Sequence, residues 1–272
     1  MIALLANFVL SIDDTQFVGR EKFKTVMSQA ASLKNKPLGE VVGGIGLSFV
    51  DTPYVGWTLE RNEDREFCFV TLEGLDCVTF FETSLALARM IKSGQERPSE
   101  LVDQVTKTRY RNGAVSGYPS RLHYTSDWIY DNDRRGNVRN VSSNLKGAIP
   151  LGKVFSFMTD HSDTYRQLRA HPELLDVIKR DEARLTKTPF SYVPTSDVEA
   201  IESKLMTGDI IGVVTKTKGM DCSHTGLIIR EGKRARFLHA SSVARRVMLD
   251  GPISEYLKRN DRNLGIMVGR PR

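Results

Sequence analysis

Cysteine is scarce in this 272-residue chain: Cys68, Cys77 and Cys222 are the only three, and no two stand as Cys-x-x-Cys. An odd count without a paired spacing argues against a disulfide framework and leaves at least one thiol free. Cys222-Ser223-His224 lacks the ligand spacing of a zinc site, so no metal is expected. Long apolar runs are missing too. The stretch from Ile2 to Leu10 is too short to span a bilayer. No basic residues precede it and no A-x-A site follows. Segment 1–19 is therefore read as an export-signal remnant or a first core segment, and no stable membrane insertion is expected. There is no internal repeat, no low-complexity segment, no glycine-rich phosphate loop and no dinucleotide fingerprint. No cofactor is expected.

What is present is the material of a globular protein, 40% apolar and 26% charged. The net charge of +6 and a pI near 9.2 favour polyanionic surroundings. The basic clusters Arg134-Arg135, Lys233 to Arg236 and Arg245-Arg246 carry no nucleic-acid motif, so nucleic acid is not expected as a partner.

The spacing of apolar residues predicts helices over 23–33 and 38–50, and a third after Gly74. Residues 67–72 are β-prone and 99–111 suit a surface helix. The stretch 112–144, rich in Gly, Asn, Asp and Arg, reads as a loop. A strand is expected at 154–158, helix at 164–184, a connector at 189–194 and a short helix at 197–205. Then 209–215, 225–230, 235–239 and 245–249 read as strands of an antiparallel meander. A helix at 253–258 and a strand at 264–268 close the chain. Helices first and strands later make the class α+β. Residues 20–272 are expected to form a single elaborated domain with an inserted loop and helical region around 100–190.

Leu75-Asp76-Cys77 opens the apolar run from Val78 to Ile91 and places a cysteine where a loop becomes a helix. Free N–H groups and partial positive charge at a helix start stabilise a thiolate, the nucleophilic form of cysteine. The plain alternative for Cys77 is a small packing residue. His224 heads one strand and His239 ends the next, so a hairpin would set the rings side by side. One cysteine with two such histidines is the material of a thiol hydrolase. Cys222 is the rival nucleophile, since on a straight strand it shares a face with His224. Cys68 reads as packing.

GLDCVTFFETSLALA, DTPYVGWTLE, SRLHYTSDW, TGDIIGVVT, SHTGLIIR and FLHASS all occur in the chain from about Asp51 onward. Together they resemble the bacterial N-acetylmuramoyl-L-alanine amidase-like family, a branch of the NlpC-type papain-like cysteine cell-wall hydrolases. The resemblance implies a papain-like fold with N-terminal helices packed on a small antiparallel sheet. It assigns Cys77 as nucleophile, His224 as base and His239 as the orienting group, with Tyr54 bordering the site. Val78-Thr79 stand where the wider superfamily has Ser-Gly, and Trp57 stands where a small residue is expected. The activity implied is hydrolysis of the N-acetylmuramoyl–L-alanine bond in peptidoglycan fragments, including anhydro-muropeptides, outside the cytoplasm and in the periplasm. The alternatives are an endopeptidase cutting between D-glutamate and the diamino acid, or a catalytically silent cell-wall-binding module. The Cys77 N–H and the Tyr54 hydroxyl are expected to hold the oxyanion. In the segment from Arg121 to Trp128, Arg121, His123, Tyr124 and Trp128 are expected to read the substrate through a carboxylate pair and sugar stacking, the alternative being a locally packed loop in which Trp128 covers core.

Overall fold

The computed structural model of the protein describes residues 16–272. The expected signal remnant falls almost entirely outside these residues. Five helices make up most of the first half: α1 (Arg20–Ala30), α2 (Leu38–Ser48), α3 (Cys77–Ser93), α4 (Pro98–Arg109) and α5 (Thr125–Arg134). Helix α3 is buried on nearly every side from Thr79 to Ile91, as its continuous apolar sequence requires. It ends at Gly94, whose left-handed φ of 72° returns the chain with N–H bonds to Ile91 and Met90 carbonyls.

The second half builds an eight-stranded sheet, every pairing of which is antiparallel. Its order runs Ile149–Pro150, Ser191–Pro194, Asn263–Pro271, Ile210–Thr215, Cys222–Glu231, Arg234–Ser241, Arg246–Pro252, with Val138–Asn140 also on Asn263–Pro271. Strand alternation sends Leu227, Leu238 and Val214 to one face, where they join the core under the five helices. Ile228, Phe237 and Val213 face the other way, onto a second apolar layer with Ile253 and Leu257 of the helix Ile253–Lys258. The α+β class and the C-terminal meander match the sequence expectation.

Three local expectations are overturned. The supposed loop at 112–144 contains α5 and the strand Val138–Asn140. Its polar residues hid a packed helix, because buried Asp127 and Asn132 find partners distant in sequence, Arg111 and Arg184 for the first and the Thr108 carbonyl for the second. No strand forms at 154–158; Phe155 makes a single bridge to Gly219, and Phe157–Asp160 turns helical. The connector expected at 189–194 includes a strand, Ser191–Pro194, closed by a proline where the chain turns into the helix Thr195–Ile201.

Candidate active site

Cys77 is the first residue of α3 and is half-buried. Asp76 caps the helix. Its Oδ1 accepts from the Val78 and Thr79 N–H groups at 3.0 and 2.8 Å, and the Thr79 hydroxyl accepts from the Asp76 N–H at 2.9 Å. The Thr58 hydroxyl donates to Oδ2 at 2.8 Å. This cap changes the electrostatics expected of a cysteine at a helix start. The N–H groups of Val78 and Thr79 are already satisfied by an anion, and that anion lies beside the thiol. Burial first, and Asp76 second, push the Cys77 thiol up to about 11; hydrogen bonding to Thr225 and to its own N–H pulls weakly the other way. The resting group is a neutral thiol, which corrects the expectation of a stabilised thiolate.

The ladder between the two histidine strands runs from Glu231–Arg234 to Leu227–Leu238 and stops before the histidines. Beyond it the strands are no longer paired, and Cys77 docks at that end: the Thr225 hydroxyl donates to the Cys77 carbonyl at 2.7 Å. His224 and His239 share the opposite face. Their Nε2 and Nδ1 atoms lie 2.7 Å apart, with the ring planes at 88°. Phe237 stacks beneath His239 at 4.7 Å, in space that only a glycine at 226 leaves open. A Cβ on Gly226 would meet the Leu238 carbonyl and the Phe237 ring, each at 2.6 Å.

The chain of polar groups continues. His239 Nε2 is 3.6 Å from Asp250 Oδ2, and Asp250 is gripped by both Nη atoms of Arg259 at 2.8 and 2.9 Å. Burial, then His239, drives the His224 imidazole down to about 3. Burial also drives His239 down to about 4, against the pull of Asp250. Both rings are therefore neutral near pH 7. Tyr54 and Tyr256 border the thiol: burial raises both hydroxyls, and the negative charge that Cys77 would carry raises them further. Tyr256 also lies over the His224 ring at 6.1 Å.

A sequence model of the AmiA-like family, described as N-acetylmuramoyl-L-alanine amidase-like, matches residues 44–266. The chain belongs to this family. An N-acetylmuramoyl-L-alanine amidase from Bacteroides uniformis is 31% identical, superimposes with a TM-score of 0.78, and aligns over 86% of this chain and 99% of its own. A Bacteroides fragilis protein provisionally named a xylanase is 34% identical, with a TM-score of 0.75 over 83% and 98% of the two chains. A Legionella pneumophila protein at 20% identity and a TM-score of 0.66 shares the fold over 93% and 95%. Among curated proteins, none matches the sequence. Glycoside hydrolysis uses two carboxylates facing the scissile bond. In this AmiA-like chain the carboxylates near the thiol and imidazoles are committed, Asp76 to its helix and Asp250 to Arg259.

The family member's other expected residues fall differently. Cys222 does not share a face with His224. A bulge pairs Val213 with His224 but Val214 with Cys222, so the extra residue, Ser223, turns the thiol to the helical side. There burial holds the Cys222 thiol well above its ordinary value. Cys68 is buried, as expected of packing.

Arg121, His123, Tyr124 and Trp128 do not form an exposed recognition loop. Arg121 is 3% exposed and ion-pairs with Glu60, while its Nη1 donates to the Leu59 carbonyl at 2.7 Å. Trp128 is 2% exposed, with its indole N–H on Glu82 at 3.0 Å. The Tyr124 hydroxyl donates to Glu182 at 2.6 Å, and His123 Nε2 lies 3.1 Å from the Tyr118 carbonyl. These residues hold the loop 57–60 and the underside of α3. Trp57, by contrast, is 66% exposed on that loop with a left-handed φ of 63°, edge-on to Tyr165. Sequence reasoning missed Asp250, Arg259, Thr225 and Thr58. Asp250 stands in Asp-Gly-Pro, which reads as a turn, and nothing local marks the other three.

Proposed function

We propose that the chain is a papain-like, NlpC-type cysteine amidase that hydrolyses the N-acetylmuramoyl–L-alanine bond of muropeptides in the periplasm, with anhydro-muropeptides among its substrates. The observation that carries this reading is the 2.7 Å contact between His224 Nε2 and His239 Nδ1, with His224 next in sequence to Thr225, whose hydroxyl holds the carbonyl of the cysteine that begins α3. The mechanism requires one direction for the proton in that contact. With Nε2 of His224 donating to His239, Nδ1 of His224 is unprotonated and free to take the Cys77 proton. His239 then carries its own proton on Nε2, toward Asp250. A neutral Cys77 and a neutral His224 thus form a thiol–imidazole pair that ionises as the nucleophile attacks.

In this mechanism the Cys77 sulfur adds to the lactyl carbonyl. The Cys77 N–H and the Tyr54 hydroxyl hold the oxyanion. His224 protonates the L-alanine nitrogen as the C–N bond breaks. Water, deprotonated by His224, then cleaves the thioester and restores the thiol. His239 and Asp250 hold the His224 ring and stabilise its cationic form without themselves meeting substrate. Digestion of a defined muropeptide with product masses tests the bond assignment. Free N-acetylmuramic acid or its anhydro form, plus a peptide beginning with L-alanine, is the expected result. A sugar still carrying L-Ala-D-Glu would establish the endopeptidase alternative.

A further inference from the structure

An open cleft of about 470 Å³ lies between the strands Val138–Asn140 and Asn263–Pro271 and the helix Thr195–Ile201. Four cations line it: Arg139, Lys146, Lys204 and Arg270. Arg139 and Arg270 stand directly opposite each other in the antiparallel register, where like charges repel and cost stability. Arg270 is fixed from behind. Its Nε and Nη2 donate to the fully buried Asp209 at 2.8 Å each, and Nη2 also donates to the Lys204 carbonyl at 3.0 Å. Nη1 takes no part in these bonds. Arg139, Lys146 and Lys204 are exposed, and among the described residues their side chains have no hydrogen bond or ion pair. The carboxylates on the flanking elements have other partners: Glu199 has Lys258, Glu202 has Arg234, Asp197 the Ser196 hydroxyl and Asp133 the Asn140 N–H. None of them lines the cleft, whose wall also includes the apolar Val141, Leu145 and Ile201.

Four cations against the single carboxylate of Asp209 leave a surplus of positive charge that one carboxylate ligand would not balance. The complement is an anion with more than one charge and several acceptor oxygens. Phosphate has both, and a guanidinium already oriented by a buried carboxylate receives it with little further loss of side-chain freedom. We propose that this cleft is a binding site for a phosphate-bearing ligand, with Arg270 as the fixed donor, Arg139, Lys146 and Lys204 closing on the phosphate oxygens, and Val141, Leu145 and Ile201 against the carbon skeleton. The phosphate belongs to a soluble molecule or to a lipid headgroup; the chemistry in the cleft is the same. The site is separate from the candidate active site. The strand that ends near Arg270 begins at Asn263, which lines the cleft of His224 and His239. From 263 to 270 a strand extends roughly 23 Å at about 3.3 Å per residue. The inference therefore stands whether or not the sugar–alanine bond is the one cut.

The test uses the full chain and two double variants, each losing two exposed charges. Arg139→Gln/Lys146→Gln strips the cleft and leaves the Arg270–Asp209 pair intact. Lys216→Gln/Lys218→Gln lies beyond the other end of the strand Ile210–Thr215, whose near end follows Asp209, and controls for net charge. Calorimetric titration with pyrophosphate at low ionic strength is expected to show one saturable site in wild type and in the control. In Arg139→Gln/Lys146→Gln the affinity should fall at least about tenfold, the scale of one lost hydrogen bond to a charged group. Pyrophosphate should also raise the melting temperature of wild type and control more than that of the cleft variant. Co-sedimentation with phosphatidylglycerol vesicles, compared with phosphatidylcholine vesicles, identifies the source. Retention on phosphatidylglycerol that the cleft variant loses and the control keeps assigns the phosphate to a lipid headgroup. Pyrophosphate binding without such retention assigns it to a soluble molecule. Either result supports the site. No saturable binding of either probe by wild type, an acetate affinity equal to that of pyrophosphate, or a loss in the cleft variant no greater than in the control would overturn it.

Discussion

At the scale of single residues, the decisive group beside Cys77 is Asp76. It gives the helix its cap and withholds from the thiol the positive end that a bare helix start would offer. The tripeptide Leu-Asp-Cys before an apolar run is enough to place the cysteine at a helix start. It does not reveal that the aspartate turns inward onto the same N–H groups. Asp76→Asn keeps a good capping residue and removes the charge. The Cys77 thiol, held near 11, is expected to move down, so alkylation of Cys77 at pH 8 should quicken in the variant. The pH profile of inactivation by iodoacetamide checks this. An unchanged profile would mean that Asp76 does not govern the thiol.

At the scale of elements, the site depends on two strands that separate just where their histidines occur. The meander and the positions of both histidines follow from alternating apolar residues. The bulge at Ser223 does not, because a one-residue insertion leaves no mark on composition while reversing the face of Cys222. The same limit explains the misread segment from Arg121 to Trp128. Its charges look solvent-exposed until Glu60 and Glu82, far away in sequence, are seen to meet them. The hairpin's fit rests on Gly226. Gly226→Ala places a methyl against a carbonyl that cannot yield and against the Phe237 ring under His239. A loss of about 1–3 kcal/mol in unfolding free energy is expected, with a fall in kcat from the displaced imidazoles. Urea unfolding together with steady-state kinetics measures both. Unaltered kcat would show that Phe237 does not position His239. His224→Ala should damage turnover more than His239→Ala, since the first removes the base and the second only its support; equal wild-type activity in His239→Ala would remove that residue from the site.

At the scale of the whole molecule, holding two neutral imidazoles, half-buried His224 and buried His239, links stability to pH. Both groups have folded values, about 3 and about 4, below the ordinary 6.5. Below pH 6.5 the unfolded chain binds protons that the folded one refuses, so this contribution is fully present above 6.5 and is lost as the pH falls toward 4 and 3. The urea midpoint should be flat in this respect above pH 7 and should decline from pH 6.5 to 4. The decline should be shallower in His224→Asn, which no longer has that proton to gain. A midpoint that rises on acidification would contradict neutral histidines.

The chemistry turns on the sulfur of Cys77. The most direct measurement is cleavage of the sugar–alanine bond of a defined muropeptide by Cys77→Ala, with the melting temperature recorded alongside. Deleting one sulfur from a half-buried position removes little volume, so the fold should persist. The predicted result is a melting temperature close to wild type and turnover reduced by at least about 10³-fold, the scale seen when a covalent nucleophile is removed. Turnover near the wild-type rate in a folded Cys77→Ala protein would contradict the mechanism.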